Sequence, residues 1–239
     1  MKKNIKRLDQ ILANCGYCSR SEAGQCIKNG VVCVNGTVIK DKAFKADPGD
    51  VFIDGQPIDH PHGLLAILYK PQGYVCSHDS SEGLRIYDLL PQQWNRRNPG
   101  PESIGRLDKD TTGIILITDL PNLVHDLGSP KKHVEKTYEV TVDKQLEKSL
   151  IPAFSSGTLL LEDETSPCLP AQLLIHSSSS ATVKLKEGKY HQVKRMFKAF
   201  GYTVQSLHRS KFGNLTLERI EPGKTLDITE QFLSGSLVI

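Results

Sequence analysis

Gly105-Arg106-Leu107-Asp108-Lys109-Asp110-Thr111-Thr112-Gly113 runs without a break into Ile114-Ile115-Leu116-Ile117-Thr118. A polar loop that ends at a glycine and passes into an apolar, β-branched run reads as a loop entering a buried strand. Such a join can hold a side chain steadily at the floor of a cleft. Two carboxylates, Asp108 and Asp110, flank Lys109 in this loop. Their spacing alone leaves three readings open: a turn cap, a contact to a divalent metal, or a catalytic carboxylate.

Outward from the loop, strand-like runs recur at Leu64 to Tyr69, Thr137 to Val142, Gln172 to His176, Thr182 to Lys186, Thr203 to Leu207 and Leu215 to Leu217. Ile151 to Leu161 fits either strand or helix. One helix is predicted from about His191 to Phe200, where Val193, Met196, Phe197 and Phe200 share a face and Gly201 follows as a stop. This pattern predicts an α+β fold with one mixed, mainly antiparallel sheet, and does not fit alternating βαβ units.

Residues 1–55 predict a separate small α/β module. Ile5, Leu8, Ile11 and Leu12 lie at helical spacing on a short helix that ends near Asn14 to Gly16. Ser19-Arg20-Ser21-Glu22 has the form of a capping box opening a second helix, which stops at Asn29-Gly30. Val31 to Val34 reads as a strand, and Asn35-Gly36 as a two-residue hairpin into Thr37-Val38-Ile39. Arg7, Arg20 and Lys28 fall on the helices away from the apolar stripe, as ordinary surface charges or as phosphate contacts. Residues 56–63 are rich in turn formers and poor in core residues, and are read as a linker to a larger domain over 64–239.

The 239 residues suffice for such a module joined to a larger domain. Met1-Lys2-Lys3 is basic, but Ile5 to Leu12 is interrupted by Lys6, Arg7, Asp9 and Gln10, so no apolar signal core is expected. Leu64 to Tyr69 and Gly113 to Thr118 fall far short of the roughly 20 residues that span a bilayer. The expectation is a soluble, cytoplasmic protein without a membrane partner. Cys15-x-x-Cys18 resembles half a zinc site, but Cys26 and Cys33 do not form a second close pair, so reduced thiols and no metal are expected.

The net charge of +3 conceals a basic run. From Lys184 to Lys211 the chain carries Lys184, Lys186, Lys189, Lys194, Arg195, Lys198, Arg209 and Lys211 against Glu187 alone. This is either a solvated face or a polyanion surface, since clustered cations gain affinity by releasing counterions from a phosphate backbone. A phosphate-cradling Gly-x-x-x-x-Gly-Lys loop, an EF-hand and a Gly-x-Ser-x-Gly elbow are all missing from the sequence. His125, His133 and His191 lack carboxylates at relay or metal-motif spacing and read as satisfied surface or core histidines.

Arg7 to Leu12, Cys18 to Ala23 and Ile27 to Gly36 together resemble the S4 RNA-binding domain over most of residues 5 to 52. The resemblance implies that Arg7, Arg20 and Lys28 meet structured RNA. The loop from Gly105 to Gly113 resembles the central motif of pseudouridine synthases, in which the Asp after Arg-Leu is essential; Asp108 matches that position and Asp110 does not. Three more motifs follow the family's pattern: Lys70-Pro71-Gln72-Gly73-Tyr74, Lys136-Thr137-Tyr138, and the stretch from Leu185 through Gly188-Lys189-Tyr190-His191-Gln192-Val193-Lys194-Arg195 to Phe197. The likeness extends from about Leu65 to Leu226.

By that resemblance Asp108, Tyr138 and Lys194 are the catalytic set. Lys194 stands where the family often has Arg, and Arg195 is the alternative partner of Asp108 if the helix register differs. Arg106, Leu185, Lys189, Arg195 and Lys198 are implied RNA contacts, Leu185 against the uracil. The S4-like unit implies the branch acting on folded ribosomal RNA, and the wording from Gly188 to Arg195 is most similar to the member acting on small-subunit (16S) rRNA. The implied reaction turns uridine into pseudouridine with Asp108 as nucleophile or base and with no cofactor. The implied partner is ribosomal RNA, within a partly assembled small-subunit ribonucleoprotein, and a monomer is expected. Three rivals stay open: the same reaction on large-subunit (23S) rRNA, a non-catalytic RNA-binding or assembly factor, and a metal-dependent hydrolase using Asp108 and Asp110.

Overall fold

A computed structural model describes residues 4–128 and 132–239; Met1-Lys2-Lys3, which entered the reading of the N-terminus, lies outside them. Nine strands of the described residues form one sheet, a mixed, mainly antiparallel one. Across it run Gln172–Ile175, Ser180–Leu185, Lys136–Val142, Val204–Phe212, Thr112–Thr118, Leu65–Lys70 and Thr225–Asp227. Glu102–Ile104 pairs with Thr112–Thr118, and Leu215–Thr216 with Val204–Phe212. The one parallel join sets His208 opposite Thr112 and Arg209 opposite Gly113.

The apolar runs lack alternation because both faces of the sheet are covered. Ala66, Leu68, Ile115 and Ile117 pack into one cluster with Phe154, Met196 and Phe197 from the helices Leu150–Ser155 and Gln192–Lys198. Their sequence neighbours Leu65, Ile67, Ile114 and Leu116 point the other way, into a second cluster with Phe212, Ile220 and Ile228. This is the period of two expected of a strand, with each fully buried Leu or Ile contributing about 1.5–3 kcal/mol. Ile151 to Leu161, ambiguous from sequence, contains the helix Leu150–Ser155. Phe200 lies beyond the end of the Gln192–Lys198 helix and is exposed.

Gly113 ends the loop for a steric reason. Its φ is +120°, and a Cβ there would sit 2.3 Å from the Arg209 carbonyl oxygen of the neighbouring parallel strand. Glycine alone tolerates both conditions.

The N-terminal module has its own core of Leu8, Ile11, Leu12, Ala23, Ile27, Val32, Val34 and Val51. The helices Leu8–Asn14 and Ala23–Lys28 accompany a four-stranded sheet of Thr37–Val38, Val32–Val34, Val51–Ile53 and Gln56–Pro57. The reciprocal bonds of the capping box form, the Ser19 amide donating to Glu22 Oε2 at 2.9 Å and the Glu22 amide to Ser19 Oγ at 3.3 Å, but they close a turn, and the helix opens only at Ala23. Asn35 and Gly36 take φ of 49° and 79°, the left-handed pair that a tight hairpin requires.

Two expectations change here. Ile5 is half exposed and off the first helix, because Lys6–Arg7 pairs as a strand with Lys45–Ala46. Arg7 therefore precedes the first helix and Arg20 lies in the turn before the second, leaving only Lys28 on a helix. The segment read as a linker is also tied down. Gln56–Pro57 extends the small sheet, and Ile58 is buried in the module's core. Arg97 Nη1 and Nη2 donate to the carbonyls of Asp59 and His60 at 3.0 and 2.7 Å, while its Nε donates to Asp119 Oδ2 at 2.7 Å. The buried guanidinium thus binds the backbone of this segment to the larger domain. None of the helices among the described residues is long and apolar enough to cross a membrane.

Candidate active site

The loop Gly105 to Gly113 is anchored from below by Lys70, the last residue of the Leu65–Lys70 strand and fully buried. Its ammonium donates to the carbonyls of Thr111 at 2.7 Å, Pro71 at 3.2 Å and Lys109 at 3.3 Å. The Gly73 amide also donates to the Lys109 carbonyl at 2.8 Å, and the Thr111 amide closes a turn onto the Asp108 carbonyl at 3.1 Å. Burial pushes the Lys70 pKa down to about 8, against the opposing pull of Cys76, Asp110 and Asp108.

So held, Asp108 presents both oxygens to the N-terminal end of the Gln192–Lys198 helix. Lys194 Nζ lies 2.7 Å from Asp108 Oδ2 and 2.5 Å from Asp110 Oδ1. Burial works against the charge of Lys194, but hydrogen bonds and attraction to these two carboxylates outweigh it and raise its pKa. Burial likewise opposes ionisation of Asp110, yet the Lys194 hydrogen bond and charge hold its carboxyl below the ordinary range. On the other side, His191 Nε2 is 3.2 Å from Asp108 Oδ1.

Beside the carboxylate is a cleft of about 140 Å³, lined by Arg106, Leu107, Asp108, Tyr138, Leu185, His191 and Arg209 among others. Tyr138 comes from the central Lys136–Val142 strand and Leu185 from its antiparallel neighbour, opposite Lys136. Arg209, buried, donates through Nε to the Ile114 carbonyl at 2.8 Å and lies over the Phe212 ring. The result is a carboxylate paired with an ammonium, beside an aromatic ring and an aliphatic wall. That set can hold a flat, partly polar ring and apply an ionised oxygen to its substituent.

Of the residues singled out in the sequence, Asp108, Tyr138, Lys194, Arg106, Leu185 and Lys189 gather at this cleft. Arg195 does not. It is turned to Glu164 Oε1 at 2.8 Å and to the carbonyls of Tyr190 and Glu162, so Lys194 is the residue paired with Asp108. Lys189 shares the same acid, at 3.1 Å from Glu164 Oε2. With Arg209 buried as well, the basic run offers less free charge than its sequence suggests. Lys198 is exposed. On the N-terminal module, Lys28 is exposed, whereas Arg7 bonds the buried Asp9 at 3.0 Å and Arg20 lies 3.8 Å from the same carboxylate.

Sequence reasoning passed over three contributors: His191, Lys70 and Glu164. His191 had no carboxylate near it in the chain, and Asp108 reaches it only through the fold. Lys70 was visible as part of a motif and without a role of its own. All six cysteines are free, and among the described residues three or more potential metal ligands are nowhere gathered together.

Comparison with known proteins points to one family. Residues 65–199 match the family described as RNA pseudouridylate synthase, and residues 6–52 match the S4 domain. The chain is 38% identical to the ribosomal small subunit pseudouridine synthase A of Escherichia coli (strain K12), over 96% of this chain and 99% of that one. It is 40% identical to the protein of the same name from Pasteurella multocida, over 89% and 90%. An uncharacterised RNA pseudouridine synthase of Bacillus subtilis is 37% identical over 95% and 96%. A crystal structure of a pseudouridylate synthase superposes with a TM-score of 0.66 at 34% identity, covering 97% of this chain and 99% of that one.

Proposed function

The chain belongs to the RNA pseudouridylate synthase family, and we propose that it isomerises one uridine of small-subunit (16S) ribosomal RNA to pseudouridine through Asp108. The observation that carries this reading is Lys194 Nζ at 2.7 Å from Asp108 Oδ2, in a cleft that Tyr138 and Leu185 also line. The choice of RNA is supported by the near full-length similarity to synthases named for the small subunit.

The reaction breaks the C1′–N1 bond, turns the uracil and rejoins it through C5. It is an isomerisation, balanced without electrons, phosphoryl groups or net water, so it calls for no cofactor. Asp108 acts as a base toward the ribose: loss of a sugar proton as N1 departs gives a glycal, and the proton returns once C5 has bonded to C1′. The hydrogen on C5 is then given up while N1 gains one. Lys194 offsets the cost of keeping the carboxylate charged.

A stacked uridine cannot enter this cleft, so the nucleotide is extruded against an unstacking cost of a few kcal/mol. Tyr138 recovers roughly 1–3 kcal/mol by stacking on the uracil. Leu185 packs against the ring, and Arg106 contacts the phosphate beside it. Lys189, Arg195 and Lys198, with Arg7, Arg20 and Lys28 on the S4 domain, contact the backbone at two places, which reads RNA shape more than base sequence. The enzyme works as a cytoplasmic monomer on a partly assembled small-subunit particle.

Purified protein incubated with unmodified small-subunit rRNA, free and carrying early ribosomal proteins, tests the reading by chemical mapping of pseudouridine. One site with wild type and none with Asp108→Ala is the expected result. A site that forms only on large-subunit rRNA would overturn the choice of substrate.

A further inference from the structure

His191 makes a contact that the reaction just described does not use. It sits at the N-cap of the helix that carries Lys194, with φ of 46° and ψ of 34°, in the left-handed region. A bulky residue there costs of order 1–3 kcal/mol, and such strain concentrates where a side chain must be aimed. The imidazole is aimed at Asp108, with Nε2 3.2 Å from Oδ1. Its ring is stacked on Tyr190, centroids 3.8 Å apart and planes 22° from parallel, which limits rotation.

Lys194 by itself does not set the direction of the catalytic carboxylate. Its 2.7 Å contact is to Oδ2, and the same ammonium is shared with Asp110 Oδ1. The terminal torsion of an aspartate is broad and roughly two-fold, so one donor on one oxygen leaves the carboxylate plane free to turn. A second polar group against the other oxygen, His191 Nε2 at 3.2 Å from Oδ1, limits that turn. Each carboxylate oxygen keeps further acceptor capacity for the ribose.

We propose that His191 is a positioning residue for Asp108: with its proton on Nε2, it holds Oδ1 while Lys194 holds Oδ2, and the Tyr190 stack holds the imidazole. The assignment rests on the proposed synthase reading. It gives the left-handed backbone a purpose, since in that conformation of the N-cap the ring faces Asp108 in the loop 105–113.

The test is pseudouridine formation on unmodified small-subunit rRNA, with rate followed against RNA concentration, for wild type, His191→Gly, His191→Asn and Tyr190→Phe. Glycine accepts the left-handed backbone and lacks only the ring, so folding does not confound the result. His191→Gly is expected to lower the saturated rate about 10-fold, through loss of a polar contact that steers the carboxylate, with half-saturation unchanged. His191→Asn, which also tolerates this conformation and retains a donor, is expected to recover part of the loss, and Tyr190→Phe to stay near wild type. A wild-type saturated rate in His191→Gly, or a loss confined to half-saturation, would overturn the assignment alone. Absence of product from wild type on every ribosomal RNA would overturn the synthase reading and this assignment with it.

Discussion

Two ion pairs in this molecule have similar lengths and opposite uses. Arg97 and Asp119 meet at 2.7 Å with side chains 2% and 6% exposed; Lys194 and Asp108 meet at 2.7 Å with side chains 23% and 24% exposed. In the first pair every guanidinium nitrogen has a partner, and Asp119 Oδ1 also accepts from the Leu64 amide at 2.6 Å. In the second, one ammonium serves two carboxylates at the edge of an open cleft. A charge pair with its bonding capacity used by backbone is a fastener. A pair with acceptor capacity left toward solvent has something to offer a substrate.

The comparison breaks most sharply at Asp108. Asp108→Ala is expected to lower turnover on the order of 10⁴-fold, the upper range for a general acid or base, while stability moves by less than about 1 kcal/mol. Pseudouridine labelling beside denaturant unfolding reads both, and a large stability loss would make Asp108 a fastener too. Arg97→Met should do the reverse, costing about 3–5 kcal/mol of stability by stranding a buried carboxylate. Adding Asp119→Leu should restore much of that loss, and a double variant no better than the single would contradict the account.

Lys70 separates stability from activity by pH. Its pKa is lowered from 10.5 to about 8 in the folded chain, so the native state sheds this proton before the unfolded state does. The contribution of this group to stability therefore rises between about pH 8 and 10.5, while in the folded chain the loop carbonyls lose one donor as pH passes about 8. Turnover should fall along an alkaline limb near pH 8, and Lys70→Met, about tenfold slower, should lack that limb. The smallest effect is expected at Glu164. Glu164→Gln removes the carboxylate that pairs with Lys189 and Arg195, leaving their charge uncompensated, so RNA affinity at low salt should rise by a factor of about three with a steeper salt dependence.

How much of this was legible follows from distance along the chain. Gly105 to Thr118 carries its own signals, a polar loop, a glycine and an apolar run, and the loop and strand lie where those signals put them. Ser19 with Glu22 and Asn35 with Gly36 are local pairs and were equally readable. The α+β class followed from the spacing of such elements, whereas the central residues of the site came from resemblance to a family. His191 with Asp108, Arg195 with Glu164 and Arg97 with Asp119 are meetings of distant segments, which no window on the sequence contains. Glu102–Ile104 and Thr225–Asp227 escaped notice because three residues carry too little pattern, and their pairing is imposed by the strands beside them. Residues 56–63 have a linker's composition and a bound segment's contacts.

Gly113 shows how the needs of packing can imitate those of chemistry. A saturation scan scored on turnover should rank it among the least replaceable positions, close to Asp108. Yet its side-chain position is filled by the passing backbone of Arg209, and it has no atom to give to the reaction. Variants there should be lost from the soluble fraction, whereas Asp108 variants remain folded and inactive. In any survey of tolerated substitutions the two residues would look alike, and only the amount of folded protein would tell them apart.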